Sequence, residues 1–362
     1  MGNDLAGLAA ELVRIDSRSS VSNLAIAERL EAELSGFEVE RLDYADAAGV
    51  PKRVLVAHRG GPGGLALSAH MDTVPETGWT DDPWSGAIRD GVLHGLGSAD
   101  MKGPLAAILR AAQAAPRATL ILTTDEETTK AGAREVAARS ALVRRAAPRG
   151  IIVAEPTRLA PVRGHRSHIN FTATARGVQA HSSTGRGTNA NWALLPFLAE
   201  LRAVHAMLRE DPAWQDAAYD PPFSDFNLVL DNHGTAINVS VPVATARVKF
   251  RYSRRMDPAP LVARLEAAAL AAGVELTVAR EGLPPELPEG HPLVVECVAA
   301  TGQAARTVPF GTDASILQDL APCVILGPGG IGVAHTPHEH VALADLDAAC
   351  ALYLTLLNGN PA

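Results

Sequence analysis

The feature that most constrains this chain is an alternation, up to Ala154, of short apolar runs with helix-like segments. Arg53–His58 and Leu65–His70 have the length of strands, Ala118–Thr124 and Gly150–Ala154 are short β-branched runs, and 22–34 and 103–114 carry helical spacing. An amphipathic pattern (Leu5, Leu8, Leu12, Ile15) adds a helix at the start. Such alternation predicts an α/β fold, a sheet with helices on its faces. Acids and histidines then fall at or just after the predicted strand ends: His70, Asp72, Asp125, Glu126, Glu127 and Glu155. Open α/β sheets gather ligands at the carboxyl ends of their strands, so these residues read as a site rather than as scattered surface charge.

At 362 residues the chain exceeds what one hydrophobic core usually fills, which predicts two domains. The character shifts near Gly164. A strand-like run (His168–Ala175) precedes a Gly/Ser/Thr-rich loop (177–189) and a helix-like stretch to about Arg209. Strands near Asp225–Asp231 and Val241–Tyr252 follow, then a helix (Pro258–Ala272) and a strand (Val274–Ala279). These form an α+β insertion over 164–280. The Pro-rich stretch Leu283–Pro288 reads as a return linker. The first domain is thus assigned 1–163 and 281–362, the latter with a helix from Pro292, a strand Cys323–Leu326 and a helix after Ala342.

Composition excludes several roles. A formal charge of −8 gives no basic footprint for nucleic acid. No apolar run is long enough to span a bilayer. No basic, then apolar, leader is visible, and Gly2 lacks a myristoylation context because position 6 is Ala. The three cysteines, Cys297, Cys323 and Cys350, form neither a disulfide ladder nor a CxxC pair, which fits a cytoplasmic protein. There is no GxSxG elbow, and Gly95-Leu96-Gly97 is too short for a dinucleotide fingerprint.

Five segments concentrate the chemistry: Ser68–Val74, Gly95–Gly103, Thr124–Glu127, Ala154–Thr157 and Ala334–His340. A ligand set of imidazoles and carboxylates without nearby Cys suits zinc, cobalt or manganese rather than a thiolate structural site. Two divalent ions about 3.5 Å apart need a shared carboxylate and further ligands on each side. Asp100 can bridge, with His70 and Glu155 completing one ion and Glu127 and His335 the other. Asp72, two residues after His70 on the same strand face, can accept the other imidazole N–H and orient the ring.

In order and spacing these segments resemble the M20 family of metallopeptidases and deacylases over nearly the whole chain. The resemblance implies a metal-bearing catalytic domain with two divalent ions, zinc first and cobalt second, and an inserted lid that commonly forms a homodimer. It implies that Glu126 is the general base beside its ligand neighbour Glu127. His181, in Gly177–Ser183, matches a lid motif that stabilises the oxyanion, often from the partner subunit. His335 fits the late ligand position by its spacing to Glu339, leaving His338 and His340 as surface residues.

Asn238 aligns with a lid position that contacts substrate, and equally fits a turn before a strand. The family's usual Asp-x-Arg is replaced here by Arg251-Tyr252-Ser253-Arg254-Arg255. One of these arginines, Arg254 first, is expected to hold a substrate α-carboxylate through its guanidinium fork. Gly311, Thr312 and Asp313 resemble a pocket-lining loop, with Thr312 or Asp313 also suited to cap a helix. The resemblance points to a small N-acylated amino acid as substrate, of the N-acetylornithine type. Succinyl-diaminopimelate, a small dipeptide and a non-catalytic amino-acid-binding scaffold are the alternatives.

Overall fold

The computed structural model describes residues 4–224 and 226–359; Gly2 and the expected strand start at Asp225 lie outside the described residues. The chain divides into two compact units. One comprises Met1–Gly164, Pro285–Thr307 and Thr312–Ala362, and the other His165–Pro284 and Val308–Gly311.

The first unit is an α/β layer built on an eight-stranded sheet. Its centre is three parallel strands: Leu65–His70 lies between Ala118–Thr123 and Gly150–Val153. All three are buried along their whole length. That is why they read as continuous apolar runs rather than as alternating patterns. Cys323–Ile325 extends the parallel set beyond Gly150–Val153. Helices Leu5–Val13, Lys102–Ala114 and Leu343–Asn358 supply Leu8, Leu12, Leu105, Ile108, Leu346 and Tyr353 to the core.

The antiparallel strand Glu38–Ala45 at the sheet edge escapes sequence reading, because only Leu42 in it is buried and the rest is exposed or half-buried. Its neighbour Pro51–Arg59 begins two residues before the apolar run and takes in Lys52, which is fully buried. The Lys52 ammonium has a partner for each of its protons: Ser19 O at 2.6 Å, Val21 O at 2.9 Å and Asp125 Oδ1 at 2.9 Å. Buried charge is tolerated only when it is paired and hydrogen-bonded in this way.

The second unit is a four-stranded antiparallel sheet in the order Phe226–Asp231, Val243–Tyr252, Ser167–Arg176 and Glu275–Arg280. In Ser167–Arg176 buried and less buried residues alternate, so one face carries the core. Helices Ala190–Glu210 and Ala259–Ala272 contribute Phe197, Leu201, Leu261 and Leu265 to a core shared with Phe171 and Phe250.

Gly132, in helix Ala131–Arg139, lets that helix sit against the strand end that precedes the acidic turn. A Cβ there would lie 2.4 Å from the carbonyl oxygen of Thr124 and 2.6 Å from its nitrogen. Gly132→Ala is therefore expected to lower unfolding stability by about 1–3 kcal/mol. Urea denaturation checks this, and an unchanged midpoint would refute the close approach.

Candidate metal centre

The parallel register brings three strand ends level. His70 closes its strand opposite Thr123, and Ser68 pairs with Val153. The chain therefore leaves the sheet at adjacent points, carrying Asp125–Glu127 from one strand and Glu155 from another. Asp100 arrives from the segment before helix Lys102–Ala114, and His335 from the loop after Cys323–Ile325.

Two groups result. His70, Asp100 and Glu155 offer ligand atoms that all lie within 4.8 Å of one another, as do Asp100, Glu127 and His335. Asp100 belongs to both. Its Oδ1 lies 3.1 Å from His70 Nε2, and its Oδ2 lies 3.3 Å from His335 Nε2. His70 Nε2 is 3.8 Å from Glu155 Oε1, and His335 Nε2 is 3.0 Å from Glu127 Oε1. His335 adopts a left-handed backbone, φ 60°, uncommon for a side chain of its size.

Asp72 departs from its expected place. The strand ends at His70, so Asp72 lies beyond it rather than on its face. His70 Nδ1 donates to the backbone carbonyl of Asp72 at 2.9 Å, with the carboxylate at 3.5 Å. The carboxylate instead accepts from Ser19 Oγ at 2.7 Å and from the backbone N–H groups of Glu126 (3.2 Å) and Glu127 (3.3 Å). Asp72 thus ties the imidazole tautomer, through its carbonyl, and the acidic turn, through its carboxylate, to one residue.

The charges fit divalent cations. With neutral imidazoles and ionised carboxyls, the two groups would bring three negative charges together, on Asp100, Glu127 and Glu155. Burial and the Asp100 charge push the Glu155 carboxyl well above its ordinary range. Burial pushes Glu127 up to about 7, with Asp100 and Glu126 adding to the shift. Contacts with Asp100 and Glu127 raise His335 to about 11. Burial opposes charge on both His70 and Asp100, yet the partners prevail: His70 is raised and Asp100 held below the usual carboxylate range. In the bare protein, protons therefore occupy positions where the donor set suits metal ions.

Several further residues shape this centre without an advance signal. Glu339 is buried, and its Oε1 accepts from the backbone N–H of Ala99 (3.0 Å) and of Asp100 (2.9 Å). In the sequence it serves only as the spacing mark for His335, because its own partners are distant backbone amides. Tyr44 donates to Asp125 Oδ2 at 2.7 Å, and Lys52 meets the other oxygen. Asp125 takes φ 60°, and its carbonyl accepts from the N–H groups of Thr128, Thr129 and Lys130.

The remaining sequence-derived residues fall in both units. His181 and Asn238 lie together in the second: Ser182 N–H donates to Asn238 O at 3.0 Å, and His181 bridges to Val239. His181 is exposed, and its Nδ1 accepts from Ser183 Oγ at 2.8 Å. Arg254 is exposed on the same unit. Gly311 ends the short Val308–Gly311 segment of that unit, and Thr312 resumes the first. Thr312 Oγ1 accepts from Ala314 N–H at 3.1 Å, whereas the Asp313 side chain does not cap the helix. Asp313 is buried, and its Oδ2 accepts from Thr123 Oγ1 at 2.5 Å.

Residues 66–359 match the description Peptidase family M20/M25/M40. The chain is 32% identical over 356 residues to an acetylornithine deacetylase of Proteus mirabilis, covering 92% of this chain and 89% of that protein. Its fold matches an M20 family metallo-carboxypeptidase from Sulfolobus solfataricus, with TM-score 0.77, 16% identity and 99% of each chain covered. It also matches a dinuclear metal binding peptidase of the M20 family from Bacillus subtilis, with TM-score 0.64, 15% identity and 98% and 96% covered.

The pKa directions fix a sign. Carboxyls such as Glu127 and imidazoles such as His335 have ordinary values of 4.5 and 6.5, yet in the folded metal-free protein they keep protons to about 7 and about 11. Asp313 and Glu339 are also raised to about 7, each chiefly by burial. The native state thus binds more protons than the unfolded one, so metal-free stability should fall as pH rises from about 5 to about 8. Thermal unfolding of chelator-treated protein checks the slope, and saturating zinc should flatten it. A midpoint that rises with pH in the metal-free protein would contradict the charge assignment.

Proposed function

We propose a deacylase function from a fixed premise: the chain belongs to peptidase family M20/M25/M40. It is a hydrolase of that family, and the finer reading is removal of the acyl group from a small N-acylated amino acid, of the N-acetylornithine type. The observation that carries this reading is the pair of ligand groups sharing Asp100, joined to 32% identity with an acetylornithine deacetylase over most of both chains. The dinuclear character of the Bacillus relative supports two ions here.

His70, Asp100 and Glu155 would hold one divalent ion and Asp100, Glu127 and His335 the other, zinc first and cobalt second. Two such ions supply Lewis-acid polarisation and lower the pKa of water. Glu126, whose N–H donates to Asp72, would accept the proton of the water that attacks the amide carbonyl carbon. It returns that proton to the amide nitrogen as the C–N bond breaks, which releases acetate and the free amine. Asp72 orients His70. In the second unit His181 would stabilise the developing oxyanion. Asn238, Arg254, Gly311, Thr312 and Asp313 would contact the rest of the substrate.

A homodimer through the second unit is part of this reading. Phe226–Asp231 lies at the edge of its sheet and leaves Leu228, Val229 and Leu230 exposed, an apolar edge that invites a partner. Nothing in the composition calls for nucleic acid, and no helix among the described residues is long and apolar enough to cross a membrane.

The test is amine release from N-acetylornithine, N-acetyllysine, N-acetylcitrulline, N-succinyl-diaminopimelate and a dipeptide, after metal is stripped and zinc or cobalt restored. Metal-dependent release from an acetylated member is expected, and release from the dipeptide alone would replace deacylation with peptidase action. Glu126→Gln should retain both metals and lose about 10²- to 10⁴-fold in turnover; undiminished turnover in a metal-replete sample would reject the base. For the dimer, His181→Ala mixed with Glu126→Gln should regain activity after subunit exchange. A mixture that exchanges subunits and stays inactive argues for action within one chain.

A further inference from the structure

Lys130 stands where local rules disfavour a lysine. It occupies the N-cap position of helix Ala131–Arg139, where its side chain makes no capping bond. Asn, Asp, Ser, Thr or Gly satisfies such a position, and the helix dipole opposes a cation there. Its backbone is left-handed, φ 55°, a conformation natural to Gly or Asn. It is also 6% exposed, so its ammonium has left bulk water. Dipole, backbone and burial all point away from lysine. An outlier of this kind asks for a compensating role.

The compensation is visible at the ammonium. Lys130 Nζ forms a close ion pair with Glu126 Oε1, both side chains being under a tenth exposed. The Glu126 carboxylate is held by that oxygen, and among the described residues no hydrogen bond is made to Oε2. The pairing is fixed from the backbone as well. Lys130 N–H donates to the Asp125 carbonyl at 2.7 Å, so the left-handed turn returns the lysine over the acidic residues it follows. Asp313, buried alongside, feels both charges: burial and Glu126 push its carboxyl up, while Lys130 and Thr123 pull it down.

We infer that Lys130 is a positioning residue for the hydrolytic reaction, holding Glu126 by one carboxylate oxygen so that the other is presented to the attacking water. The inference rests on Glu126 being the general base. The ion pair that Lys130 makes is with Glu126, which is a member of neither candidate ligand group. Loss of Lys130 therefore misplaces the base while leaving the ligands as they are. A side chain misplaced by about 1 Å can cost about 10²-fold in rate.

The test uses zinc-reconstituted full-length protein with N-acetylornithine as probe. Lys130→Met and Lys130→Gln are compared with Lys130→Arg and Glu126→Gln for kcat, KM and bound zinc. The expected result is a kcat reduced about 10- to 100-fold in the Met and Gln variants, with KM within about threefold and zinc content unchanged. Lys130→Arg, which keeps a donor cation, should recover a substantial part of kcat. Full kcat in either neutral variant beside an inactive Glu126→Gln overturns the positioning role and leaves the base intact. A change confined to KM makes Lys130 a substrate contact, and loss of zinc or of folding in both neutral variants makes it structural; each overturns the inference. Active Glu126→Gln overturns the base reading and this inference together.

Discussion

The structure turns on one buried carboxylate. Asp100 faces an imidazole from each oxygen and so belongs to both ligand groups at once. A shared anion of this kind lowers the repulsion between two cations, which neither group can do separately. The chain spends much of its local geometry on placing it. Gly95 and Gly97 take positive φ, and a Cβ on them would meet Val13 at 2.5 Å and Thr73 at 2.8 Å, so the approach to Asp100 must be glycine-rich. Glu339 then grips the two amides that lead into Asp100. Position comes from backbone contacts, and the side-chain oxygens stay available.

A second constraint fixes the acidic turn. Glu126 and Glu127 follow Asp125, whose carboxylate is pinned between Lys52 and Tyr44 and whose carbonyl gathers three N–H groups. Asp72 then accepts the amides of the next two residues. The buried lysine that looks anomalous in a strand is therefore part of what holds the turn, and its cost of burial is offset by complete pairing. Neighbouring glutamates end with different environments: Glu127 meets His335, whereas Glu126 meets Lys130. Adjacent carboxylates of one type can thus take different tasks, because their partners differ.

The α/β class was legible because buried parallel strands are apolar along their whole length and sit between helical periods. The strand Gly150–Val153, which has no polar side chain, is the clearest case. The gathering of acids was legible because each follows a strand end at short range. What escaped has a common physical cause. Glu38–Ala45 lies at an edge with little buried surface, so it carries no pattern strong enough to read. Lys52, Lys130 and Glu339 act through partners that periodicity does not encode: a carbonyl, a left-handed turn and two distant amides. For Asp72 the spacing to His70 indicated a partner, but its carbonyl rather than its carboxylate comes closest, because the strand ends two residues before it.

The same distinction explains why reaction type is easier to read than substrate. The residues around Asp100 are tied to the sheet by register: moving one strand would carry His70, Glu127 or Glu155 out of reach. Their identities are therefore constrained by a few fixed distances, and short motifs record them. His181, Asn238 and Arg254 are exposed on turns and strand ends of the second unit, where no register fixes the side chain. Exposed positions such as Arg254 and Arg255 can change residue without disturbing either core, whereas Tyr252 and Ser253 beside them are buried. A single fold can then keep its hydrolytic centre while its relatives are named for a deacetylase in one case and a carboxypeptidase in another. In the proposed reading, substrate choice falls to the part of the chain with the fewest packing constraints, and for that reason would leave the weakest trace in its sequence.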